Sequence, residues 1–229
     1  MRIRKLHEWT CDARASIALQ RKLAEKIILS PAEDRVPFRR IAGVDVSSGR
    51  GDKLLWATVV VLQLPDFCVV ETAHARGAAD FPYIPGLLSF RELPVALRAF
   101  RRLRNRPDAV ICDGQGLAHP RFFGLACHLG LWLNLPSIGC AKTRLVGEHC
   151  EPADAPGSWT KITFQGRVVG AALRTRKKSK PVYVSPGHLI TLEQAVELVG
   201  SCICKSRLPE PTRLAHLEVN RFRRATPEL

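Results

Sequence analysis

The chain has 229 residues, enough to bury a sizeable core as one domain over 1–229, and 46% of them are hydrophobic, which excludes a chain disordered throughout. Lys and Arg outnumber Asp and Glu by 35 to 21, and this excess favours a polyanionic partner such as nucleic acid or an anionic membrane surface. No apolar run reaches the roughly 18 residues of a spanning helix, so we expect no membrane segment.

Eight cysteines are present, but their surroundings do not indicate a disulfide framework. The first residues, MRIRKLHEWT, lack the apolar stretch of a signal peptide. Cys112, Cys127 and Cys140 fall inside apolar runs, where a thiol behaves as a small buried hydrophobe. Cys202 and Cys204 form a C-x-C pair with no second pair to complete a zinc signature. We therefore expect reduced thiols in a cytoplasmic protein.

The first part of the chain predicts a helix followed by an antiparallel meander. Apolar residues within 9–29 approximate one helical face, and Pro31 follows the last of them. Three runs rich in valine and leucine then follow with short connections, the first of which is the turn "SSGRGDK". The predicted strands are residues 40–46, 54–64 and 67–73.

The second part predicts a βαβ unit and then a hairpin. A helix at about 94–103 precedes this unit, whose two strands should be parallel because crossover helices connect strands in that way. Thr191 and Gln194 form the capping-box pattern of a later helix, and a short final helix is expected after Pro211. The predicted βαβ elements are 109–112, 120–131 and 137–140, and the hairpin strands are 159–164 and 168–173. Three antiparallel strands followed by βαβ predict an α/β fold, a ribonuclease H-like mixed sheet with flanking helices.

Two acids are predicted to meet at the ends of neighbouring strands. Asp45 lies near the end of the first strand and Asp113 closes the fourth, and these strands are commonly adjacent in such a layout. Two close carboxylates repel unless one is protonated or a cation lies between them, and the cation suited to carboxylate oxygens is Mg²⁺. Glu92 in "SFRELP" is a candidate third carboxylate. Taken singly, each acid is also compatible with a turn or a helix start.

Several basic side chains are candidates for the same site. Lys142 follows the predicted fifth strand, where its cation could neutralise a phosphate or a developing charge, although surface lysines are common in a basic protein. His119, His188 and His216 are each compatible with an active-site group or with an ordinary core or surface histidine. The pattern alone leaves these alternatives open.

Several stretches of the sequence, in order, resemble the endonuclease V family. They are "IAGVDVSSG", "PYIPGLLSFRE", "DAVICDGQGLAHPRFFGLACHLGLWLNLPSIGCAKTRLVG", "VYVSPGHLITLEQAVELV" and "RLPEPTRLAH". The resemblance extends over about residues 6–224, and its two most specific parts are "PYIPG-x-L-x-F-R-E" and "DG-x-G-x-A-H-P-R".

The resemblance implies a ribonuclease H-like nuclease that depends on Mg²⁺, with Mn²⁺ as a substitute. It implies recognition of inosine, the product of adenine deamination, and cleavage of the second phosphodiester on its 3′ side, which leaves a 3′-hydroxyl and a 5′-phosphate. The family's metal-binding acids correspond to Asp45, Glu92 and Asp113, and Lys142 and His216 correspond to its active-site lysine and histidine. In the turn after Asp45 the only further acid is Asp52.

The resemblance also implies a pocket for a base turned out of the duplex. Glycines would let the backbone approach the base closely, and a wedge would fill the gap that the base leaves. The implied wedge is Tyr83, Ile84 and Pro85, and the implied pocket residues are Gly86, Gly114 and Gly124, with Gln115, His119 and Leu145 nearby.

The expected partner is inosine-containing nucleic acid, with DNA repair as the leading hypothesis and inosine-containing RNA as the alternative. Basic runs "RNR", "RTRKKSK" and "NRFRR" are predicted to follow the phosphate backbone. A catalytically silent inosine-binding module is a second class, and the complete set of acids and Lys142 argues against it. A zinc deaminase would need an H-x-E motif paired with P-C-x-x-C, and the sequence has no P-C-x-x-C. We expect a monomer with no obligate protein partner and no membrane association.

Overall fold

The structure is a computed structural model that describes residues 1–30, 38–49 and 53–226. Within these ranges the strands are β1 (Arg40–Ser48), β2 (Leu54–Gln63), β3 (Cys68–Ala78), β4 (Ala109–Cys112), β5 (Ser137–Ala141), β6 (Trp159–Phe164), β7 (Arg167–Leu173) and β8 (Val182–His188). The helices are α1 (Ala13–Ala24), α2 (Leu88–Arg102), α3 (Leu125–Leu133), α4 (Leu192–Ser201) and α5 (Glu210–Ala225). Pro31 and Asp52, and with it the middle of the predicted turn after β1, lie outside the described residues.

The strands form one mixed sheet in the order β3-β2-β1-β4-β5-β8-β7-β6. β1, β2 and β3 are an antiparallel meander, and β4 and β5 continue from β1 as parallel strands. β8 pairs antiparallel with β5, and the β6–β7 hairpin extends the sheet from β8. The predicted α/β fold with a ribonuclease H-like mixed sheet is therefore confirmed.

Both faces of the central strands are covered, which explains their almost continuous apolar sequences. Alternate residues of a strand point to opposite faces. Val44 and Cys112 belong to the core between the sheet and helices α2 and α3, whereas Ile41 and Ile111 belong to the core under α4. α5 packs along β1 and β2. The helices thus cover the faces of the sheet but not the carboxyl ends of its parallel strands, where polar side chains can reach solvent.

The first helix is shorter than the predicted range of 9–29. It begins after Asp12, whose carboxylate accepts a 2.6 Å hydrogen bond from the Ala15 N–H and so caps the helix. Trp9 instead stacks on Trp132 with ring centroids 5.4 Å apart. Aromatic packing of the N-terminal segment and the Asp12 cap together set the start, which apolar periodicity alone did not reveal.

The second helix begins earlier than predicted, at Leu88, and Pro94 lies inside it. A proline in a helix interior removes one hydrogen bond and crowds the preceding turn. Burial of Leu93, Leu97 and Phe100 on the sheet side offsets that cost. The correction matters for function because Glu92 is now held on a helix and not on a preceding loop.

Other boundaries differ by smaller amounts. α3 starts at Leu125 and not at Pro120, since Phe122 has a positive φ of 53° and Gly124 is extended. β3 extends to Ala78, and the last helix is 16 residues long and not short. The capping box of Thr191 and Gln194 is confirmed by both of its hydrogen bonds.

The buried positions predicted for three cysteines are confirmed. Cys112, Cys127 and Cys140 are each at most 1% exposed, and all eight cysteines are free thiols. Among the helices of the described ranges, none is long and apolar enough to cross a membrane.

Candidate active site

Two of the predicted acids emerge side by side from adjacent parallel strands. Val44 of β1 pairs with Cys112, the last residue of β4, so the next residues, Asp45 and Asp113, are neighbours. Asp113 leaves the sheet there, whereas β1 continues to Ser48 and Asp45 lies within it, opposite Thr58 of β2, and not near the strand end as predicted. Lys142 follows the last residue of β5, the next strand along. Open α/β sheets commonly bind ligands at the carboxyl ends of their strands, and this edge carries the predicted catalytic residues.

Glu92 reaches the same place from α2. Asp45, Glu92 and Asp113 all line one small pocket, here called the acidic pocket, whose remaining wall is apolar. Burial, together with the Asp45 and Asp113 charges and against the opposing Arg91 charge, raises the pKa of the Glu92 carboxyl to about 8. The three carboxyl groups therefore interact electrostatically, as predicted for acids that share one site.

His216 is brought to Asp45 by helix α5. Its Nδ1 lies 2.7 Å from Asp45 Oδ2, although the two residues are 171 positions apart. Burial raises the pKa of Asp45 and the Asp113 charge adds to this, while the hydrogen bond and charge of His216 lower it. Nδ1 of this exposed side chain is thus engaged, and its Nε2 lies 3.4 Å from Asn220 Nδ2.

Asp113 has its own cationic neighbour. Lys142 Nζ donates a 2.5 Å hydrogen bond to Asp113 Oδ2, and both side chains are partly exposed. In residues 1–30, 38–49 and 53–226, no three His, Cys, Asp or Glu side chains are arranged as a ready metal site. The predicted acids thus share a pocket, but two of them turn one oxygen toward His216 or Lys142.

This donor set nevertheless fits a hard cation. Carboxylate oxygens are the preferred protein ligands of Mg²⁺, and a carboxyl group such as Glu92, whose ionisation two neighbouring carboxylates oppose, is stabilised in its charged form by a cation. The residues that would hold Mg²⁺ are Asp45, Glu92 and Asp113.

A second pocket lies directly beside the first and has a cavity volume of about 190 Å³. Leu125 lines both pockets, and Gly114 of the second directly follows Asp113 of the first. This second pocket is here called the glycine pocket. All nine residues that the resemblance implied for base binding line it, namely Tyr83, Ile84, Pro85, Gly86, Gly114, Gln115, His119, Gly124 and Leu145.

The mouth of the glycine pocket is apolar and exposed. Tyr83 is 66% exposed and Leu145 is 53% exposed, so two large apolar side chains lie at one pocket mouth, where together they can contact a partner. Gly124 closes the opposite wall, where a Cβ atom would lie 2.2 Å from the Gln115 carbonyl oxygen. Only glycine allows this close approach of two backbone segments.

The sequence did not reveal four residues that line the glycine pocket, namely Gln20, Leu88, Ser89 and Leu125, nor Arg121, which supports the pocket from behind Gly86. Gln20 of α1 and Arg121 both donate to the Gly86 carbonyl oxygen, at 3.0 and 2.6 Å, and the Arg121 guanidinium also donates to the Gln20 side-chain oxygen. Gly86 has a positive φ of 80°, so these bonds hold a turn that favours glycine. The available signal was a polar residue, Gln20, within the apolar pattern of α1.

His119 is a wall of the pocket whose ring nitrogens are both engaged. Its Nε2 lies 3.1 Å from the Gly86 carbonyl oxygen, so Nε2 carries the proton, and its Nδ1 accepts a bond from the Arg121 N–H. Burial, together with the Arg121 charge and against the opposing Gly86 bond, lowers the pKa of His119 to about 4. His119 is therefore neutral and orders the loop around Gly86.

Gln115 presents an unpaired acceptor. Its Nε2 donates to the Thr143 carbonyl oxygen at 3.1 Å, which fixes the orientation of the amide. Its Oε1 is buried and has no hydrogen-bond partner among the described residues. An unpaired buried acceptor costs about 1–3 kcal/mol, a cost that a ligand N–H would remove.

The comparisons with known proteins agree with these observations. The sequence model of a family described as Endonuclease V matches residues 21–217. A protein named Endonuclease V from Dehalococcoides mccartyi is 47% identical over 217 residues, which cover 95% of this chain and 96% of that protein.

Solved structures of the same name have the same fold. The crystal structure of an Endonuclease V from Streptomyces avermitilis superposes with a TM-score of 0.90 at 38% identity, covering 96% of each chain. A Ciona intestinalis Endonuclease V, in complex with a 24mer DNA containing an inosine followed by a ribo-adenosine, superposes with a TM-score of 0.81 at 25% identity. That likeness covers 93% of this chain and 99% of the Ciona chain.

Proposed function

Because the chain belongs to the endonuclease V family, we propose that this nuclease recognises inosine in DNA and cuts the second phosphodiester on its 3′ side. The products would be a 3′-hydroxyl and a 5′-phosphate, and the biological role would be repair of deaminated adenine. The observation that carries the proposal is the continuity of the two pockets through Leu125 and the Asp113–Gly114 step. One pocket suits a cation and a phosphate, and its neighbour suits a base.

The acidic pocket would perform the hydrolysis. Asp45, Glu92 and Asp113 are the residues that would hold Mg²⁺, with Mn²⁺ as a substitute. The ion, when bound, supplies polarisation of the scissile phosphate and a lower pKa for the attacking water. The paired backbone of β1 fixes Asp45, the end of β4 fixes Asp113, and helix α2 fixes Glu92.

Lys142 and His216 each have a defined position for this chemistry. Lys142 donates to Asp113, and its remaining N–H groups are free to bind a phosphate oxygen and neutralise charge that develops there. His216 is bonded to Asp45 through Nδ1, so its Nε2, which lies 3.4 Å from Asn220 Nδ2, is the atom that would hold or move a proton. Asn220, one turn further along α5, donates to the His216 backbone carbonyl at 2.8 Å and supports this part of the helix.

The glycine pocket would hold hypoxanthine, the base of inosine, after it leaves the stack. The first amide N–H groups of a helix have no partner within the helix, and Leu88 and Ser89 at the start of α2 line this pocket. The backbone amides of Leu88 and Ser89 would donate hydrogen bonds to O6 of hypoxanthine.

Tyr83→Ala should weaken binding to inosine-containing strands more than binding to undamaged strands. Tyr83 is exposed at the pocket mouth, where its ring would fill the gap left by the extruded base, and stacking of this kind contributes about 1–3 kcal/mol. The expected loss is therefore about 10- to 100-fold on inosine strands, measured by fluorescence anisotropy with EDTA present. Leu217→Ala, another exposed apolar residue but outside both pockets, is the control. Equal losses on both strands would remove the wedge role.

The basic runs contribute unequally to the proposed interface. Lys177, Lys178 and Lys180 are exposed and free to meet phosphates. Arg174 in the same run is buried, and its guanidinium is paired with Glu151 and with the Pro152 carbonyl oxygen. This arginine therefore stabilises the fold, and the salt-dependent attraction to phosphates would come from the exposed lysines.

The deciding experiment compares three matched oligonucleotides, which carry one deoxyinosine, one riboinosine or no inosine, each incubated with the protein and Mg²⁺. We expect one nick at the second phosphodiester 3′ to deoxyinosine, mapped by denaturing electrophoresis, and none without inosine. Faster cutting of the riboinosine strand would favour the RNA alternative, because a groove that contacts a 2′-hydroxyl selects RNA. Binding without any cutting would favour the silent module.

A further inference from the structure

A chain of hydrogen bonds connects the N-terminal segment to the glycine pocket. The Glu8 carbonyl oxygen lies 2.8 Å from His7 Nδ1. His7 Nε2 lies 2.7 Å from His128 Nε2, and His128 Nδ1 lies 3.0 Å from Ser89 Oγ. Ser89 is 3% exposed and lines the glycine pocket. None of these residues has a place in the proposed hydrolysis.

The direction of each proton in this chain follows from its first member. A carbonyl oxygen only accepts, so His7 Nδ1 carries a proton, and a neutral His7 then has a lone pair on Nε2. His128 Nε2 must therefore carry a proton and donate it to His7. A neutral His128 in turn has a lone pair on Nδ1, and the Ser89 hydroxyl donates to it.

Both histidines are neutral around pH 7. Burial lowers the pKa of His7 to about 4. His128 is completely buried, and burial, with a smaller contribution from His7, lowers its pKa well below the usual value. The Ser89 proton is thus committed to His128, and only lone pairs of Ser89 Oγ remain for a ligand in the glycine pocket.

We propose that Ser89 is a specificity-determining residue that accepts the N1–H of hypoxanthine, an inference that rests on the proposed function. Hypoxanthine in a nucleoside has a single N–H group, at N1, so a fixed acceptor in the pocket can pair only with that group. Adenine carries a lone pair at N1. In the same pose, two lone pairs would face each other and the undamaged base would be rejected, because a buried polar group is left unpaired.

The test pairs a base change with a side-chain change. Oligonucleotides carry hypoxanthine, 1-deazahypoxanthine (in which a C–H replaces the N1–H and the ring proton is carried at N3 instead) or adenine, and binding is measured with EDTA present. Wild type should bind the hypoxanthine strand about 3- to 10-fold more tightly than the 1-deaza strand, the usual worth of one hydrogen bond. Ser89→Ala should bring this ratio close to 1. It should also reduce the ratio of binding to the hypoxanthine strand over the adenine strand. Ser16→Ala, a buried serine of α1 that donates to a backbone carbonyl, should leave both ratios unchanged.

His7→Phe tests the direction of the chain. The ring packs against Trp9, Phe90 and Trp132, and phenylalanine preserves that packing while removing the acceptor for His128. With its Nε2–H no longer held, His128 can carry its proton on Nδ1 and free the Ser89 hydroxyl, so the hypoxanthine to 1-deaza ratio should fall.

The outcomes separate this inference from the proposed function. Equal losses on the hypoxanthine and 1-deaza strands in Ser89→Ala would overturn the acceptor role, provided that wild type still prefers inosine over undamaged strands. An unchanged ratio in His7→Phe would overturn the part played by the two histidines. If wild type showed no preference for inosine strands at all, the proposed function would fail, and this inference with it.

Discussion

Asp45→Ala and Asp113→Ala should each abolish Mg²⁺-dependent nicking while leaving inosine-strand binding in place. Each variant removes one of three carboxylates that would hold the ion, and loss of that ion forfeits several kcal/mol of transition-state stabilisation, on the order of 10³-fold in rate. The fold should persist, because burial and the Asp113 charge already disfavour the ionised Asp45. Nicking is measured on a deoxyinosine duplex over a Mg²⁺ titration, and binding by anisotropy in EDTA.

The matched control is Glu197→Ala, which removes an exposed acid of α4. Helix α4 covers the face of the sheet opposite to α2 and α3. It should cut and bind like wild type. Full nicking by both aspartate variants would refute the metal assignment. Loss of binding together with nicking would instead assign Asp45 and Asp113 to substrate recognition.

Gly43→Ala should lower the melting temperature and separate His216 from Asp45. A Cβ at position 43 of β1 would lie 1.9 Å from the Pro211 carbonyl oxygen and 2.8 Å from the Thr212 nitrogen, both in the first turn of α5. Backbone atoms cannot rotate away, so α5 must move as a unit. Overpacking of this kind costs about 1–3 kcal/mol or more, which lowers the melting temperature of a chain of this size by roughly 5–10 °C.

The matched control is Gly200→Ala, where an added Cβ meets no atom within 4 Å. Since Gly200 lies inside α4, alanine there should stabilise the protein by about 0.5–1 kcal/mol. Calorimetry gives the melting temperatures, and nicking assays well below them show whether displacement of α5 also slows the reaction. An unchanged melting temperature for Gly43→Ala would contradict the close packing of α5 on β1.

Much of the fold was readable from local pattern. The strand at Ala109–Cys112 is four apolar residues between turn-forming ones, and the capping box at Thr191 is a four-residue signal. Such features depend on neighbours in sequence, so their elements were predicted at or near their observed positions. The start of α2 was wrong because Pro94 normally ends a helical pattern, and only burial of the apolar face of α2 explains its tolerance.

The candidate site, too, was only partly predictable from the sequence. The motifs around Asp45, Tyr83 and Asp113 identified the family and the residues of both pockets. They did not reveal Gln20 or Arg121, whose part is to hold the Gly86 turn. Neither residue has a local signature for this role, because their partner lies in another loop.

The sequence by itself determined the order of strands and helices, the excess of positive charge, and the carboxylates, glycines and wedge that a family member carries. The tertiary structure alone decided which of these meet. His216 reaches Asp45 across 171 positions and His7 reaches His128 across 121. Hydrogen bonds act over about 3 Å, and the sheet order and helix packing that bring distant residues within that range are properties of the whole chain.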